Sequence, residues 1–362
     1  MRMIIFAGPT GGHFYPAWAF LESFKARRPE AQILFVTGLR GSSLTGKLKR
    51  PAEVEFEFLA DFPFPRPPGP DFLIRFPIFL LKLARAFLKM NRILERFSPE
   101  LAVGFGSYVS FPGLVLAHWR KIPTLIHEQN RKIGRANAWA LRFSDRIALS
   151  FEGEGGRVTG LPLRSSLIRA ALQNRPFDQV PQPAGRTRIL LVGGSQGSQS
   201  INRLWAGVIA ALSDEEKSKI AVMHITGKAD FGWFEKMYAT QGVEAKVFPY
   251  HEQMEELYST ADLAITRSGA GTLSELALFH LPAVVLPYPY AEGHQEMNAR
   301  SYESEGAILL LSEKGCTPER LKESVFRLMA SPELRNQLGR NLARLAKPDA
   351  SEKLVDMAEE LL

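Results

Sequence analysis

Two doubly wound α/β domains facing each other across a cleft, each a parallel sheet covered by helices on both faces, are what this sequence predicts. Three observations carry the prediction. Its 362 residues hold about two domains at about 150 residues apiece. Short apolar runs alternate with helical patterns through the first half, as parallel strands joined by helical crossovers do. The alternation then starts afresh at residues 188–192, a strand that again ends in glycines.

Taken in order, residues 2–7 are an apolar run ending in glycine, and a helical pattern follows from about 13 to 27. Residues 32–37 read as the next strand. Residues 101–104 and 124–126 are further short strands with a helix over 111–119 between them, and 146–149 is one more. A joint is expected near 160–187, where proline-bearing sequence interrupts the pattern, giving domains at 1–163 and 164–346. In the second, strand 188–192 opens a helix over 198–212, and 263–266 is another strand. Within residues 347–362, the segment 351–362 is an amphipathic helix expected to pack back on the first domain.

Composition narrows the class. Hydrophobic residues make up 45% and charged residues 23%, a globular balance that excludes a disordered or fibrous chain. The single cysteine, Cys316, excludes a disulfide framework and a thiolate zinc site and suits a reducing compartment. The opening MRMIIF is too short for the apolar region of a secretory signal. The densest apolar stretch, 76–88, is broken by Lys82 and Arg85 and falls short of the ~20 residues that span a bilayer. Net charge is +7, unevenly spread: residues 1–163 hold 23 Lys and Arg against 13 Asp and Glu, residues 164–362 hold 22 against 25. A basic first half suggests contact with an anionic surface.

Glycine loops between strand and helix let backbone approach a ligand at a helix N-terminus, where negative charge is favoured. The first is GPTGGH (8–13), with Thr10, Gly11 and Gly12 beside His13 at the helix start. It does not match G-x-G-x-x-G, so no nicotinamide cofactor is indicated. Residues 41–48 (GSSLTGKL) imitate a phosphate-binding loop, but Leu48 stands where that loop needs a hydroxyl for magnesium. They are expected to be a basic loop without nucleoside triphosphate. The second domain opens with GGSQGS (193–198), whose Ser195 and backbone N–H groups suit a diphosphate. RSGAGTLSE (267–275) follows a strand and opens another helix; Glu275 lies a turn inside, where it could accept from ribose hydroxyls or simply complement the helix dipole. Two such loops in one domain suit a sugar nucleotide at the sheet's carboxyl edge. Gln295 and Asn298 could share a helix face, and amides suit sugar hydroxyls because they both donate and accept.

Between 72 and 97, Arg75, Lys82, Arg85, Lys89, Arg92 and Arg96 fall within a stripe roughly 100° wide on an α-helix. Apolar residues cover much of the remainder. Residues 72–82 are expected to touch anionic headgroups, with Trp119, Arg120 and Lys121 as neighbours of that patch. No recognised nucleic-acid-binding module is present.

With these residues assembled, the chain resembles the MurG family of bacterial glycosyltransferases, which add N-acetylglucosamine to the lipid-linked N-acetylmuramoyl-pentapeptide of peptidoglycan synthesis. The likeness runs colinearly over nearly the whole chain. It rests on residues 8–13, GFGSYVSFP (104–112), IHEQN (126–130), GLPLR (160–164), GGSQG (193–197), RSGAGTLSE (267–275) and GHQEMN (293–298). Pro9 stands where the family usually has glycine, Leu161 where it has asparagine, and 131–135 (RKIGR) is more basic than usual.

The resemblance implies two Rossmann-like domains of the glycosyltransferase-B type and a UDP-N-acetylglucosamine donor. The first domain would take the acceptor and dock on the membrane, and the second would bind the UDP-sugar. Ser195, His251, Ala270, Gly271, Thr272, Glu275 and Gln295 would hold the donor, with Arg164 facing its diphosphate. Thr10, Gly11, Gly12, His13 and Asn130 would reach the reacting centre from the first domain; Tyr108, His127, Glu128 and Asn298 would lie on the acceptor side. The acceptor would be undecaprenyl-pyrophosphoryl muramoyl-pentapeptide, and the place the cytoplasmic face of the inner membrane. The reaction implied is an inverting displacement at the anomeric carbon. His13 is the expected base, since an imidazole titrates near neutral pH, with His127 and Glu128 in reserve. No D-x-D pair stands at a strand end, so neither metal nor cofactor is expected, helix N-termini and Arg164 carrying the leaving charge. The competing readings are a sugar-nucleotide epimerase, a diacylglycerol glycosyltransferase and a non-catalytic nucleotide-sugar-binding subunit.

Overall fold

The computed structural model describes residues 1–46, 51–62, 72–173, 185–194, 197–290 and 293–362. The chain divides into two compact units, Met1–Arg164 with Asp349–Leu362, and Ser165–Pro348.

The first unit runs β1 (Arg2–Phe6), α1 (Gly11–Arg27), β2 (Gln32–Gly38), α2 (Ser42–Thr45), β3 (Val54–Leu59), α3 (Phe72–Phe97), β4 (Leu101–Gly104), α4 (Ser107–Trp119), β5 (Thr124–Glu128), α5 (Arg135–Ala140), β6 (Arg146–Leu149) and β7 (Arg157–Val158). Its sheet has the order β3-β2-β1-β4-β5-β6-β7, every pair parallel. Helices cover both faces of such a sheet, so the central strands are apolar throughout: Met3, Ile4, Ile5 and Phe6 of β1 are all fully buried. One face packs Phe14, Trp18, Phe20 and Phe24 of α1 over Phe35 and Phe105. Each buried aromatic contributes about 1.5–3 kcal/mol by area.

The second unit contains α6 (Ser165–Gln173), β8 (Thr187–Val192), α7 (Gln199–Ala210), α8 (Asp214–Ser218), β9 (Ile220–Ile225), α9 (Phe231–Thr240), β10 (Glu244–Phe248), α10 (Met254–Thr260), β11 (Leu263–Thr266), α11 (Ala270–Leu278), β12 (Ala283–Val285), α12 (His294–Ser304), β13 (Leu309–Leu310), α13 (Pro318–Ala330) and α14 (Pro332–Leu345). Its parallel sheet has the order β10-β9-β8-β11-β12-β13. The last helix, α15 (Ala350–Glu359), returns to the first unit. Leu354, Val355, Met357 and Ala358 join the α1 core, and Arg27 and Arg28 reach Asp356 and Glu359 at 2.5–2.9 Å. Exposed ion pairs contribute little; the apolar face docks the helix.

Three local differences from the sequence reading have physical causes. Strand β5 does not stop at 126: His127 and Glu128 pair with Ala148 and Leu149 of β6 and are carried into the buried sheet. Helix α4 starts at Ser107, four residues before 111, because Gly106 and Ser107, both at positive φ (78° and 69°), turn the chain sharply after β4. The phosphate-loop imitation is a single helical turn, α2, that breaks off at Gly46; residues 47–50 lie outside the described part.

Candidate active site

In both sheets the order reverses once, between β1 and β4 in the first and between β8 and β11 in the second. Loops diverge at such a switch point and open a crevice at the carboxyl edge. The loop residues found there are 7–10 and 105–106 in one unit, 193–194, 197–198 and 267–269 in the other. The helices these loops open share a further property. Thr10 before α1, Gly106 before α4, Ser198 before α7 and Gly269 before α11 make no side-chain capping bond, and no first turn carries an acid. Elsewhere, α8, α13 and α14 have Ser or Thr caps and acidic first turns. The first N–H groups of a helix have no partner inside it, so the switch-point helices present donors of the kind that suit an anion.

At the first unit's switch point, His13 stands in the opening turn of α1. Its ring packs against glycine backbone: a Cβ on Gly8 would lie 2.9 Å from His13 Cδ2, and one on Gly106 3.3 Å from Cε1. His13 Nδ1 lies 3.1 Å from Gln129 Oε1. Gln129 Nε2 donates to the Phe105 carbonyl at 3.0 Å, which fixes the amide orientation. Oε1 can only accept, so the ring proton sits on Nδ1 and the basic lone pair on Nε2. The sequence analysis gave Gln129 no role; its only signal was a place inside IHEQN.

Two reserve residues take other positions. Glu128 is 2% exposed. One carboxylate oxygen accepts from the Asn130 N–H (2.9 Å) and side chain (3.4 Å), the other from Gly134 N–H (2.9 Å) and Asn137 Nδ2 (2.8 Å). It shapes the loop carrying Asn130, with its acceptor capacity spent there. His127 is wholly buried. Nε2 donates to the Gly160 carbonyl (3.0 Å) and Nδ1 faces Gln129 Nε2 (3.3 Å); burial pushes its pKa down to about 4. The expectation that His127 meets acceptor is therefore corrected: it is an internal, neutral support for Gln129. Tyr108, half-buried, donates its phenolic proton to Asp61 and packs edge-on against Phe62; burial and Asp61 push its pKa up. Asp61 in turn pairs with Arg40 at 3.0 Å. Arg164 lies over the Tyr15 ring, 5.1 Å from its centre.

The second unit's loops are tied by a buried cation that the sequence reading left without a role. Arg267, 5% exposed, donates to the Leu286 and Pro287 carbonyls (2.9 and 3.1 Å), to Glu313, and to Ser198 and Ser200 (2.9 and 2.7 Å). One guanidinium thus holds the loops after β8, β11 and β12. Ala270, Gly271 and Thr272 form the first turn of α11. Glu275, half-buried a turn later, accepts from Tyr258 at 2.7 Å. Gln295 accepts from the Tyr288 N–H at 2.9 Å, and its carbonyl receives the Ser268 hydroxyl at 2.8 Å. Asn298 does not share an open face with it: fully buried, it donates to the Ser268 carbonyl at 3.2 Å. Its expected acceptor contact is corrected to support of the 267–269 loop. His251 neighbours Phe248 and Glu256. Ser195 lies outside the described residues.

Helix α3 has an unusual outer surface. Phe79, Ala86, Met90, Ile93 and Leu94 face inward, whereas Ile78, Leu80, Leu81 and Leu88 are 48, 47, 54 and 62% exposed. Beside this apolar band runs the basic one, with Lys82, Arg85 and Arg92 exposed; Lys89 and Arg96 turn toward Glu57. Among the described residues, no helix is long and apolar enough to cross a membrane.

Two parallel α/β units, each with uncapped helix N-termini at the switch point of its sheet, define the two-domain glycosyltransferase-B class. Residues 3–149 match the glycosyltransferase family 28 N-terminal domain and 188–354 its C-terminal domain. The chain is 34% identical to the UDP-N-acetylglucosamine–N-acetylmuramyl-(pentapeptide) pyrophosphoryl-undecaprenol N-acetylglucosamine transferase of Thermodesulfovibrio yellowstonii, over 100% of this chain and 99% of that one. The enzyme of the same name from Halothermothrix orenii is 31% identical, with 99% of each chain covered. Among solved structures, Acinetobacter baumannii MurG superposes with a TM-score of 0.75 at 26% identity over 99% of both chains. This chain belongs to the MurG family of glycosyltransferases.

Proposed function

We propose that this chain transfers N-acetylglucosamine from UDP-N-acetylglucosamine to the lipid-linked N-acetylmuramoyl-pentapeptide, the reaction named in its relatives. The observation that carries the chemical part is the His13–Gln129 pair. It orients the imidazole so that the neutral ring carries its lone pair on Nε2. As the acceptor hydroxyl attacks the anomeric carbon, its proton passes to that nitrogen. The bond to UDP breaks with its electron pair leaving on the diphosphate oxygen, and the configuration inverts.

The departing charge needs stabilisation. The uncapped N-termini of α7 and α11 supply backbone N–H groups with their dipoles, and Arg164 supplies a full positive charge. Thr272 and the first turn of α11 would bind the diphosphate, Glu275 the ribose, and Gln295 the sugar; Thr10, Gly11, Gly12, Asn130 and Tyr108 would meet the reacting groups in the first unit. The domain roles follow: acceptor in the first unit, donor in the second. The epimerase alternative would need no acceptor.

The outer surface of α3 supports peripheral contact with an anionic membrane, at the inner-membrane face where a polyprenyl-linked acceptor and a soluble nucleotide sugar meet. Apolar side chains beside cations suit the headgroup boundary. Flotation with vesicles containing anionic lipid is expected, and is expected to weaken when Leu81 and Leu88 become Ser.

The test is transfer of labelled N-acetylglucosamine to lipid-linked muramoyl-pentapeptide, with and without chelator. Acceptor-dependent release of UDP at an unchanged rate in chelator is expected. Release of free sugar without acceptor, or a strict loss in chelator restored by manganese, contradicts the reading.

A further inference from the structure

Behind the α7 loop, between β9 and helices α7 and α9, five side chains form one directed chain of hydrogen bonds. Trp205 Nε1 donates to the Tyr238 hydroxyl at 2.9 Å. The tyrosine's own proton therefore goes to His224 Nδ1, also at 2.9 Å. That leaves the ring proton on Nε2, which donates to Asn202 Oδ1 at 3.1 Å. The Asn202 amide is thereby oriented, and its Nδ2 donates to the Thr226 carbonyl (2.9 Å) and to Asp230 (2.7 Å). Trp205, Tyr238, His224 and Asn202 are at most 2% exposed, and burial holds His224 neutral, its pKa near 3.

A buried polar chain of this kind contributes little net stability compared with apolar packing, but it fixes geometry. What it fixes lies at its end. Asn202 stands one turn into α7, its N–H bonded to the Ser198 carbonyl at 2.9 Å. Thr226 O, the atom it grips, is the one against which Gly197 is pressed: a Cβ there would lie 2.2 Å from it. Gly197 itself has φ 77°, and its N–H bonds Gly194 O at 3.0 Å. The chain thus clamps the opening turn of α7 onto the end of β9.

The geometry points to Asn202 and His224 as positioning residues for the donor: they hold the uncapped N-terminus of α7 in the shape that receives the diphosphate of a nucleotide sugar. This inference rests on the donor site proposed above. Neither residue touches the nucleotide; both act through the backbone of 197–199.

The test uses the full chain, with UDP affinity measured by calorimetry and donor KM and kcat by transfer assay. Asn202→Asp keeps the shape, withdraws both amide donors and sets a carboxylate against Asp230. A rise of about tenfold in donor KM and UDP Kd is expected, with kcat changed by less than about threefold. Adding Asp230→Asn exchanges amide and carboxylate and is expected to restore part of the loss. Tyr238→Phe withdraws the proton received by His224 and the acceptor of the Trp205 N–H and is expected to raise donor KM about twofold; it carries the test if Asn202→Asp does not fold. Unchanged donor KM and UDP affinity in variants whose melting temperature has fallen would make the chain a structural support only and overturn the inference. A wild-type chain that binds no uridine nucleotide overturns the donor reading itself, and this inference with it.

Discussion

The two units share one topology and differ in what sits at the switch point. In the first, the bridging group is an uncharged amide: Gln129 joins His13, His127 and the Phe105 carbonyl. In the second it is charged: Arg267 joins three loops and Glu313. A neutral amide beside an imidazole fixes a tautomer without adding a charge that would hold a proton on the ring. A buried guanidinium paired with a carboxylate ties several loops together through its five N–H donors. On the function proposed above, one scaffold would serve proton transfer in one unit and anion binding in the other, through a few side chains at the carboxyl ends of β5 and β11.

Substitutions that separate the two roles break or sharpen this contrast. His13→Ala is expected to have the largest effect, lowering kcat about 100- to 10,000-fold while UDP affinity is retained; a matching loss of UDP affinity would place His13 in the donor site instead. Arg267→Gln leaves Glu313 and three loops without their partner. It is expected to cost about 3–5 kcal/mol of stability and to weaken UDP binding, read from urea unfolding and calorimetry; unchanged stability would deny the hub. Gln129→Met removes the orienting amide at nearly constant size and is expected to lower kcat about 10- to 100-fold with donor KM unchanged. Equal losses in kcat and UDP affinity would contradict the division of roles.

The smallest expected effect is one the units share. Each buries a neutral histidine, His127 with a pKa near 4 and His224 near 3. Both values lie below the unfolded value of about 6.5. Their contribution to stability is therefore present above pH 6.5 and lost as pH falls from there toward the folded values. The slope is up to about 1.4 kcal/mol per pH unit for each. Urea midpoints from pH 7 to 4.5 check this, and His224→Gln is expected to flatten the slope by about half.

Much of this architecture is legible in the sequence, because a strand buried on both faces must be apolar throughout and each glycine loop marks its carboxyl end. Runs such as MIIF and ILLV announce themselves. Contacts that cross the chain do not. Gln129 meets His13 across 116 residues and Arg267 meets Ser198 across 69, so neither partner's role can be read from local spacing. The burial of His127 is hidden for a different reason. Strand β5 runs two residues beyond 126, and its register with β6 decides that this histidine is buried rather than presented. Asn298 followed the same pattern, a polar residue on a helix whose burial depends on a loop 30 residues away.

The central claim, that backbone dipoles in the second unit hold the donor while the first unit handles the proton, is tested most directly with Thr272→Asp. Thr272 occupies the third position of α11, where an acid stabilises a helix but repels a diphosphate. Calorimetric titration of UDP-N-acetylglucosamine in chelator is predicted to give one site per wild-type chain, the same site in His13→Ala, and none in a folded Thr272→Asp. Wild-type affinity in Thr272→Asp, or binding that vanishes with chelator, would contradict the account.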